Sequence, residues 1–553
     1  MITSKIKPLF DTISSSVFNI GNENLSGLCS EAGNLLEYLS EENGELKKEI
    51  QKLRDEINKL KGEQGKPDIK PNKSTPSDHS SEKDRKRVTP KSERKKKSNK
   101  KDSVKINREV VCSNNLSSLP DDVVFKGFET RVLQDLKITP DNVLFKLQVH
   151  YSPSLNKSFI AGLPDGYQGD FGPSVKALII SLNRDSQMTQ SNIHTFLTTH
   201  GMSIASSTIS RVLTENIGGF HEEKEDIIKA GLTGSPYIHI DDTGCRVNGI
   251  NQYSHILCSP VFTAFFTRDK KDRLTLLNII CQGDLRFSLN QESRDMMNML
   301  GLPEKRIQEI KLLGIKEAIT RNQIDQILVD FYSDPEKHKT NRRIILEASA
   351  ITYYHNSEYF IDFLVADDAP QFNLLGKHKM LCWIHEGRHL KKLNPLLNIH
   401  KKELKNFLGR FWDYYGLLLD YKNKPTEDLH KKLYEDFDKL FSETTGYTAL
   451  DDRIALTKAK RDNLLLVLDN PELPLHNNPA ELGARVQARI RDISLHTISQ
   501  AGTDAKDTFA TIVQTAKKLK VNVYDYIYDR ITKKYQIPNL ADMIYEKLKY
   551  NST

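Results

Sequence analysis

The sequence lacks the usual marks of a secreted or membrane-embedded protein. Its 553 residues contain no apolar run long enough to span a bilayer, and no signal-peptide pattern follows the first methionine. The six cysteines are scattered without a Cys-x-x-Cys pair, which argues against a disulfide framework and against a structural zinc finger. We therefore expect a reducing, cytoplasmic location and no membrane partner, and the length predicts several domains.

Positive charge is concentrated in one short segment. The formal net charge is +7, yet residues 66–108 hold 16 of the 80 basic residues and 6 of the 73 acidic ones, which leaves the remainder with a net charge of −3. Because the segment contains almost nothing apolar, we predict a basic disordered linker over residues 63–108. DNA phosphates are its natural partner, and a solvated tether is the alternative. The lysines assigned to DNA binding are Lys95, Lys96, Lys97, Lys100 and Lys101.

A heptad pattern precedes this linker. Apolar residues recur at spacings of three and four over nearly four repeats, with leucine at d and mostly isoleucine at the later a positions, in the series Leu36, Leu39, Asn43, Leu46, Ile50, Leu53, Ile57 and Leu60. This combination favours a parallel two-stranded coiled coil in which the lone Asn43 fixes the register. We predict an N-terminal helix and a dimeric coiled coil over residues 1–62. A single amphipathic helix packed on its own domain is the alternative.

Two small modules are predicted between the linker and residue 233. Residues 109–172 alternate short apolar pieces with Pro and Gly turns, which indicates a small β-containing module. Residues 173–232 are predicted to be helical, and two helical pieces joined at His200-Gly201 follow the helix-turn-helix plan. An ordinary helical hairpin is the alternative. The residues of the second piece that we assign to DNA binding are Ser206, Ser207, Ser210 and Arg211.

Two apolar, strand-forming stretches each end in a pair of aspartates. SPYIHI leads to Asp241 and Asp242, and FLVA leads to Asp367 and Asp368. A buried carboxylate is costly unless it is paired, protonated or bound to a cation. Acids at strand ends can hold a divalent metal, a recurring device of phosphoryl-transfer enzymes. Turn capping is the alternative for either pair alone, whereas the two pairs together favour metal binding.

A third acid follows in the helix-forming stretch LHNNPAELGARVQARIRDI. Asn477 and Asn478 are suitable N-caps for this helix. Glu481, Arg485 and Arg489 then fall on one helical face, four residues apart. Glu481 could complete a metal site while the arginines contact DNA phosphates. An ordinary helical ion pair between Glu481 and Arg485 is the alternative.

Together these motifs resemble the DDE transposases of bacterial insertion sequences, specifically the insertion-sequence-sixty-six type. HIDDTGCRV is similar to the family's acid-acid-Thr strand, DDAPQF to its second Asp segment, and NNPAELGAR to its Asn-Asn-x-x-Glu-Arg helix. LCWIHEGRHLKKL is similar to its Cys-Trp-x-His-x-x-Arg element. The chain departs from the pattern at His476, where Asp is usual, and at Leu482, where Arg is usual. It also lacks the cysteine-rich zinc-binding segment often found between coil and core.

The resemblance implies an α/β fold with a core similar to ribonuclease H. This core is a mixed sheet flanked by helices and interrupted by helical insertions, to which the N-terminal coiled coil and the small β and helical DNA-binding modules are added. Its predicted parts are residues 233–283, 349–397 and a Glu helix at 475–500, with helical insertions at 284–348 and 398–474 and a C-terminal helical region at 501–553.

The resemblance also implies roles for individual residues. Asp241, Asp367 and Glu481 would be the catalytic residues and the ligands of two Mg²⁺ or Mn²⁺ ions. Arg388, Arg485 and Arg489 would contact DNA. Cys382 and His385 have the spacing of half a zinc site, but no second half is visible in the sequence. Supporting or structural roles are expected for Asp242, Asp368, Cys382, His385, Asn477 and Asn478.

The implied function is DNA transposition. The protein would bind the ends of its insertion sequence and catalyse metal-dependent hydrolysis and strand transfer. Its expected partners are double-stranded DNA at the ends and the target, a second copy of the chain, and helper proteins, in a bacterial cytoplasm and at the nucleoid when bound to DNA. A catalytically silent DNA-binding descendant and a plain metal-dependent nuclease are the alternatives. Retention of all three acids argues against the first of these.

Overall fold

The computed structural model describes residues 2–20, 23–60, 105–113, 125–332, 334–493 and 496–551. Most of the predicted basic linker lies outside these residues. Within the described ranges, no helix is long and apolar enough to cross a membrane. Five lysines that we assign to DNA binding lie outside the described residues, so their DNA contacts stay predictions. They are Lys95, Lys96, Lys97, Lys100 and Lys101.

A mixed sheet of five strands lies at the centre of the fold. Its strands are β3 (Ile238–Val247), β4 (Ile250–Cys258), β5 (Thr263–Arg268), β6 (Ile361–Ala366) and β7 (Gly376–Leu381). They are ordered β5-β4-β3-β6-β7 across the sheet; the first three pair antiparallel, and β6 and β7 run parallel to β3. A separate exposed hairpin consists of β1 (Val149–Ser152) and β2 (Lys157–Ile160). The predicted mixed α/β class is confirmed.

Helices surround this sheet. Before it lie α1 (Ile2–Ile20), α2 (Glu23–Leu60), α3 (Pro173–Arg184), α4 (Gln190–Thr199), α5 (Ser206–Thr214) and α6 (Gly218–Gly234). Between β5 and β6 lie α7 (Arg273–Ile280), α8 (Gln291–Met299), α9 (Glu304–Leu312), α10 (Arg321–Phe331) and α11 (Lys339–His355). After β7 follow α12 (Trp383–Lys392), α13 (Asn398–Asn423), α14 (Glu427–Leu440), α15 (Thr448–Lys458), α16 (Arg461–Leu464), α17 (Leu466–Asp469), α18 (Asn478–Asp492), α19 (Gln500–Leu519), α20 (Val523–Ile531) and α21 (Leu540–Asn551).

The buried apolar side chains form two main clusters. The first joins the sheet to α3–α6, α7–α11 and the C-terminal helices, so the predicted helix-turn-helix segment shares a core with distant parts of the chain. The second lies between α12–α17 and the strands β6 and β7. Its centre is Trp383, which is fully buried and donates its indole N–H to the carbonyl of Leu464 at 2.9 Å. The second helical insertion is therefore anchored to the parallel half of the sheet.

The N-terminal helices dock on this second insertion. The Glu37 carboxylate accepts hydrogen bonds from the backbone N–H groups of Leu396 and Leu397, at 2.7 and 2.8 Å, and lies 3.2 Å from Nδ1 of His400. A carboxylate at the N-terminus of α13 is stabilised by the unpaired N–H groups of that helix end. In α1, the Asp11 carboxylate accepts a hydrogen bond from the backbone N–H of Asn398 at 3.1 Å, so both N-terminal helices contact this insertion directly.

Side chains of α19 close the edge of the sheet at β5. The outward N–H groups of this strand donate to helix side chains four residues apart, in the pairs Thr263 with Thr515, Phe265 with Thr511 and Thr267 with Asp507, at 3.2, 3.1 and 2.5 Å. Four residues advance a helix by about 6.0 Å, and two residues advance a strand by about 6.7 Å. The two spacings match closely enough for three successive bonds.

Because of the buried residue Glu223 in α6, we expect the free energy of unfolding to depend on pH. Burial raises its pKa from 4.5 to about 7, although Arg530 lies 3.6 Å away. The Glu223 carboxyl group therefore binds its proton more tightly in the folded chain than in the unfolded chain. The resulting stabilisation is complete below the unfolded value and is lost as the pH rises through 7. From this group we expect the free energy of unfolding to fall by about 2–3 kcal/mol between pH 5 and pH 8.

Urea unfolding of Glu223→Gln at both pH values measures this contribution. The variant should lose that part of the pH dependence, because the amide does not titrate. Glu222→Gln, at the exposed neighbouring position, is the matched control and should keep the wild-type dependence. Equal pH dependence in wild type and Glu223→Gln would contradict the prediction.

Candidate active site

The first aspartates of the two pairs lie at the same end of the sheet. β3 and β6 run parallel, with His239 opposite Val365. Two residues further along, this register brings Asp241, within β3, beside Asp367, the first residue after β6. Neighbouring parallel strands therefore bring both aspartates to the same end of the sheet.

Asn477 ties the start of α18 to this end of the sheet. The residue is buried and directly precedes the helix. Its Nδ2 donates to the carbonyl of Ile240 at 2.7 Å, and its Oδ1 accepts from Nδ1 of His239 at 2.9 Å. Its backbone N–H donates to Sγ of Cys382 at 3.2 Å. Because Ile240 immediately precedes Asp241, this anchor fixes the beginning of α18 next to the first aspartate.

The three predicted catalytic carboxylates share one electrostatic environment. The pKa of Asp241 is raised to about 7, first by burial and then by the charges of Asp367 and Glu481, against a hydrogen bond from the backbone N–H of Asp242. Like charges held together in a partly buried site disfavour each other's ionisation, and a cation between them removes that penalty. The donor set consists of carboxylate oxygens, which hard divalent cations prefer.

Glu481 forms a bidentate ion pair with Arg388 of α12. The two carboxylate oxygens lie 3.0 and 2.9 Å from Nη1 and Nη2, and the Glu481 side chain is 14% exposed. Burial by itself would raise the pKa of Glu481, but the bonds and the charge of Arg388 hold it below its ordinary value. Arg485, the partner that the helical spacing offered, contributes a weaker attraction. Arg388, predicted to contact DNA, thus faces Glu481 here.

The second aspartate of each pair has a protein partner. Asp242 accepts a hydrogen bond from Nε2 of Gln371 at 2.8 Å. Asp368 forms an ion pair with Lys460, which also pairs with the buried Glu386 at 2.9 Å. Contacts of this kind are expected of residues that support a site. Their structural role stays a prediction.

A third side chain that can bind metal, that of Glu481, lies close to Cys382 and His385. One donor atom each from Cys382, His385 and Glu481 lies within 4.8 Å of the other two. Burial raises the pKa of the Cys382 thiol to about 12, and burial lowers the pKa of His385 against the attraction of Glu481. Glu481 therefore lies close to the two residues whose spacing resembles half a zinc site. The sequence pattern missed it because Glu481 follows His385 by 96 residues.

The predicted DNA-binding residues occupy two surfaces. α4 and α5 are joined by a turn in which Gly201 takes a positive φ of 89°, a conformation that favours glycine. The exposed members are Ser206, Ser207 and Arg211 on α5 and Arg485 and Arg489 on α18, while Ser210 is half-buried. Arg211 also lines a cavity of about 1000 Å³ between α5 and the C-terminal helices. The structure leaves both helix surfaces accessible.

Some residues that hold the site were not singled out from the sequence. Gln371, His239 and Lys460 act through the bonds described above. The first two lie inside the motifs DDAPQF and HIDDTGCRV, which is the signal that could have found them. Lys460 belongs to no local pattern, since it lies 92 residues after its partner Asp368.

Comparisons with known proteins agree with the motifs after residue 357, whereas Asp241 lies outside the matched range. Residues 357–505 match the family model of the transposase IS66 family, and this range contains Asp367, Cys382, His385, Arg388 and Glu481. The uncharacterized protein y4jO of Sinorhizobium fredii (strain NBRC 101917 / NGR234) is 30% identical over 310 residues, which cover 55% of this chain and 94% of the relative. The chain therefore belongs to the transposase IS66 family.

Proposed function

We propose that this chain is a DNA transposase that binds the ends of its insertion sequence and catalyses phosphodiester hydrolysis and strand transfer. The observation that carries the proposal is that Asp241 and Asp367 lie on neighbouring parallel strands at one end of the sheet, where the charges of Asp367 and Glu481 both raise the pKa of Asp241. Membership of a transposase family supports DNA as the substrate. Three antiparallel strands continued by two parallel ones, in the order β5-β4-β3-β6-β7, support a ribonuclease H-like core.

The donor set fits Mg²⁺ or Mn²⁺. Asp241, Asp367 and Glu481 offer only carboxylate oxygens, at a position where their negative charges act on one another. Two such ions, when bound, would activate the attacking water or 3′-hydroxyl and stabilise the departing 3′-oxygen. The chain's own contribution is to hold the three carboxylates in place through β3, β6 and the Asn477 anchor.

Arg388 is proposed to alternate between Glu481 and DNA. In the structure it neutralises Glu481 through two hydrogen bonds, while its side chain is 45% exposed. A guanidinium group binds carboxylate and phosphate through the same planar fork, so a DNA phosphate can replace Glu481 as its partner. Arg485 and Arg489, exposed on the helix that carries Glu481, would extend this phosphate-binding surface.

The direct test uses the purified full-length protein, Mg²⁺ and the DNA that flanks its own gene. A transposase nicks this DNA at the ends of the element and joins the released 3′ ends to target DNA. Cleavage with no preference for the ends would indicate a plain nuclease. Binding to the ends without cleavage would indicate a silent DNA-binding protein.

The basic linker is proposed to contact DNA phosphates without reading the sequence. Replacing five lysines by glutamine should weaken DNA binding at low salt and lower the slope of log K against log[salt] by roughly one unit per lost contact. Preference for the element ends should survive, because phosphate contacts carry no sequence information. Fluorescence anisotropy over a salt series measures both effects, and an unchanged slope would reduce the segment to a tether. The lysines are Lys95, Lys96, Lys97, Lys100 and Lys101.

Self-association is proposed through the heptad face of α2. This helix is continuous over 38 residues, or about 57 Å. Beyond the end that docks on the core, its apolar row is open, and the exposed fractions range from 44 to 54% for Leu39, Leu46, Ile50, Leu53 and Ile57. A second copy supplies the same row and can bury it in a parallel coiled coil.

Leu46→Glu combined with Leu53→Glu should convert the dimer into a monomer, because both d positions face the partner helix. The matched control is Lys48→Glu at an outward f position of the same helix, which should stay dimeric. Asn43→Val should strengthen the coil and admit other oligomers. Sedimentation equilibrium measures all three, and a dimer that persists in the double variant would place the main interface elsewhere.

A further inference from the structure

We infer that Cys382, His385 and Glu481 form a binding site for Zn²⁺, and that filling this site withdraws Glu481 from the cluster with Asp241 and Asp367. The first half of the inference concerns metal binding and is independent of the proposed function. The second half, inhibition of DNA cleavage by zinc, rests on the proposed function.

The spacing of the donor atoms is close to that of a zinc site. One sulfur, one nitrogen and one carboxylate oxygen lie within 4.8 Å of one another. Zinc bonds of 2.0–2.3 Å at tetrahedral angles require separations of about 3.3–3.6 Å. A side-chain rotation of Glu481 can bring its oxygen to these separations. Three protein ligands would leave a fourth position for water.

The sulfur of Cys382 is already placed as a metal ligand requires. It lies at the start of α12, one helical turn before His385, so the two donors share one rigid element. The side chain is 1% exposed, and the backbone N–H of Asn477 donates to Sγ at 3.2 Å. Burial nevertheless favours the thiol over the thiolate that binds metal, so zinc binding must displace the thiol proton to solvent.

His385 supplies an independent observation. Its Nδ1 is buried and makes no hydrogen bond within the described part of the chain, and it lies 3.7 Å from the nearer oxygen of Glu481. Buried polar atoms without a partner are uncommon and call for an explanation. A cation between Nδ1 and the carboxylate would give Nδ1 the partner that it lacks.

Arg388 must leave when zinc enters. Its Nη1 lies 3.3 Å from Nε2 of His385, and the guanidinium also holds both oxygens of Glu481. Accepting a hydrogen bond at Nε2 assigns the ring hydrogen to Nδ1, whereas zinc at Nδ1 requires it at Nε2. Zinc also replaces the positive charge of Arg388 beside Glu481, because Zn²⁺ neutralises one thiolate and one carboxylate. Binding therefore releases Arg388 from both partners.

Glu481 thus belongs to two donor sets of different chemistry. With Asp241 and Asp367 it offers oxygen alone, which suits Mg²⁺ and Mn²⁺. With Cys382 and His385 it offers oxygen, sulfur and nitrogen, which suits Zn²⁺. One carboxylate held 2.0–2.2 Å from zinc cannot keep its place in the first set. The identity of the bound cation would therefore decide whether the active site is complete.

The test of binding uses Co²⁺ as a spectroscopic probe of the full-length protein. Wild type should show a thiolate-to-cobalt charge-transfer band and tetrahedral visible bands that saturate at one equivalent and disappear on addition of Zn²⁺. Cys382→Ser and His385→Asn should each weaken binding more than about 100-fold, because even the loss of an outer partner costs about 10- to 100-fold. Cys281→Ser, at a buried cysteine of the other apolar cluster, is the control and should keep the spectrum.

Two outcomes would overturn the site. One is the absence of a charge-transfer band in wild type, and the other is an unchanged band in Cys382→Ser or His385→Asn when circular dichroism shows that the variant is folded. The test of inhibition adds Zn²⁺ to the Mg²⁺ cleavage reaction, where activity should fall in wild type and in Cys281→Ser. Cleavage that continues with the site filled would overturn inhibition alone. A chain that binds cobalt but never cleaves DNA would overturn the proposed function while supporting the metal site.

Discussion

Asp241→Asn, Asp367→Asn and Glu481→Gln are each expected to reduce strand cleavage by at least about 1000-fold while DNA binding persists. A metal held by three carboxylates contributes several kcal/mol to transition-state stabilisation, and about 4 kcal/mol corresponds to a factor of 1000 in rate. Each amide keeps the shape of the side chain but removes one anionic ligand. The rate of nicking at the element ends in Mg²⁺ measures the loss, and anisotropy with labelled end DNA measures binding.

The matched controls are the neighbouring acids. Asp242→Asn should cost less than about tenfold in rate, because an amide can still bond to Gln371, a partner outside the metal ligands. Asp368→Asn should also be mild, because Lys460 keeps its ion pair with Glu386. An inactive Asp242→Asn beside an active Asp241→Asn would contradict the assignment of Asp241 as the ligand.

Asn477→Asp is expected to lower the free energy of unfolding by about 2–4 kcal/mol and to reduce cleavage together with it. Aspartate has the same shape, but it replaces the Nδ2 donor to the Ile240 carbonyl by an oxygen. The buried carbonyl then loses its partner and faces a like partial charge, and each unsatisfied buried group costs about 1–3 kcal/mol. Since this bond holds the start of α18 beside Asp241, its loss should also displace Glu481.

Asn478→Asp is the control for this variant. It makes the same chemical change one residue later, at the first position of α18, which is also buried but where the helix dipole favours a carboxylate and no bond to Ile240 is involved. We expect a change in stability of less than about 1 kcal/mol. Urea unfolding gives both free energies. Equal destabilisation by the two variants would show that the bond to Ile240 is not the anchor.

Local sequence patterns predicted the strands and the helix that bear the site residues, but not the contacts between those residues. The apolar runs before each Asp-Asp pair predicted strands that end in acids, and the structure has β3 and β6 there. Strand alternation could not choose between Asp241 and Asp242, because both faces of this sheet are covered. The resemblance made that choice. In the structure, Asp242 accepts a hydrogen bond from Gln371, and the charge of Asp367 helps to raise the pKa of Asp241.

The contacts that sequence reasoning missed connect segments far apart in the chain. Arg388 and Glu481 are 93 residues apart, and Glu37 and Leu397 are 360 residues apart. A helical periodicity predicts which residues share a face, so it offered Arg485 as the neighbour of Glu481. It contains no information about which helix will pack against that face. The same limit explains why the spacing of Cys382 and His385 was visible in the sequence and their proximity to Glu481 was not.

The row of bonds between α19 and β5 has a consequence for how protomers can join. An uncovered edge strand offers N–H groups to any passing chain and is a template for strand addition and aggregation. Here the N–H groups of Thr263, Phe265 and Thr267 are already occupied by a helix of the same chain. The sheet that carries the aspartates therefore cannot be extended by a strand of a neighbouring chain at the β5 edge.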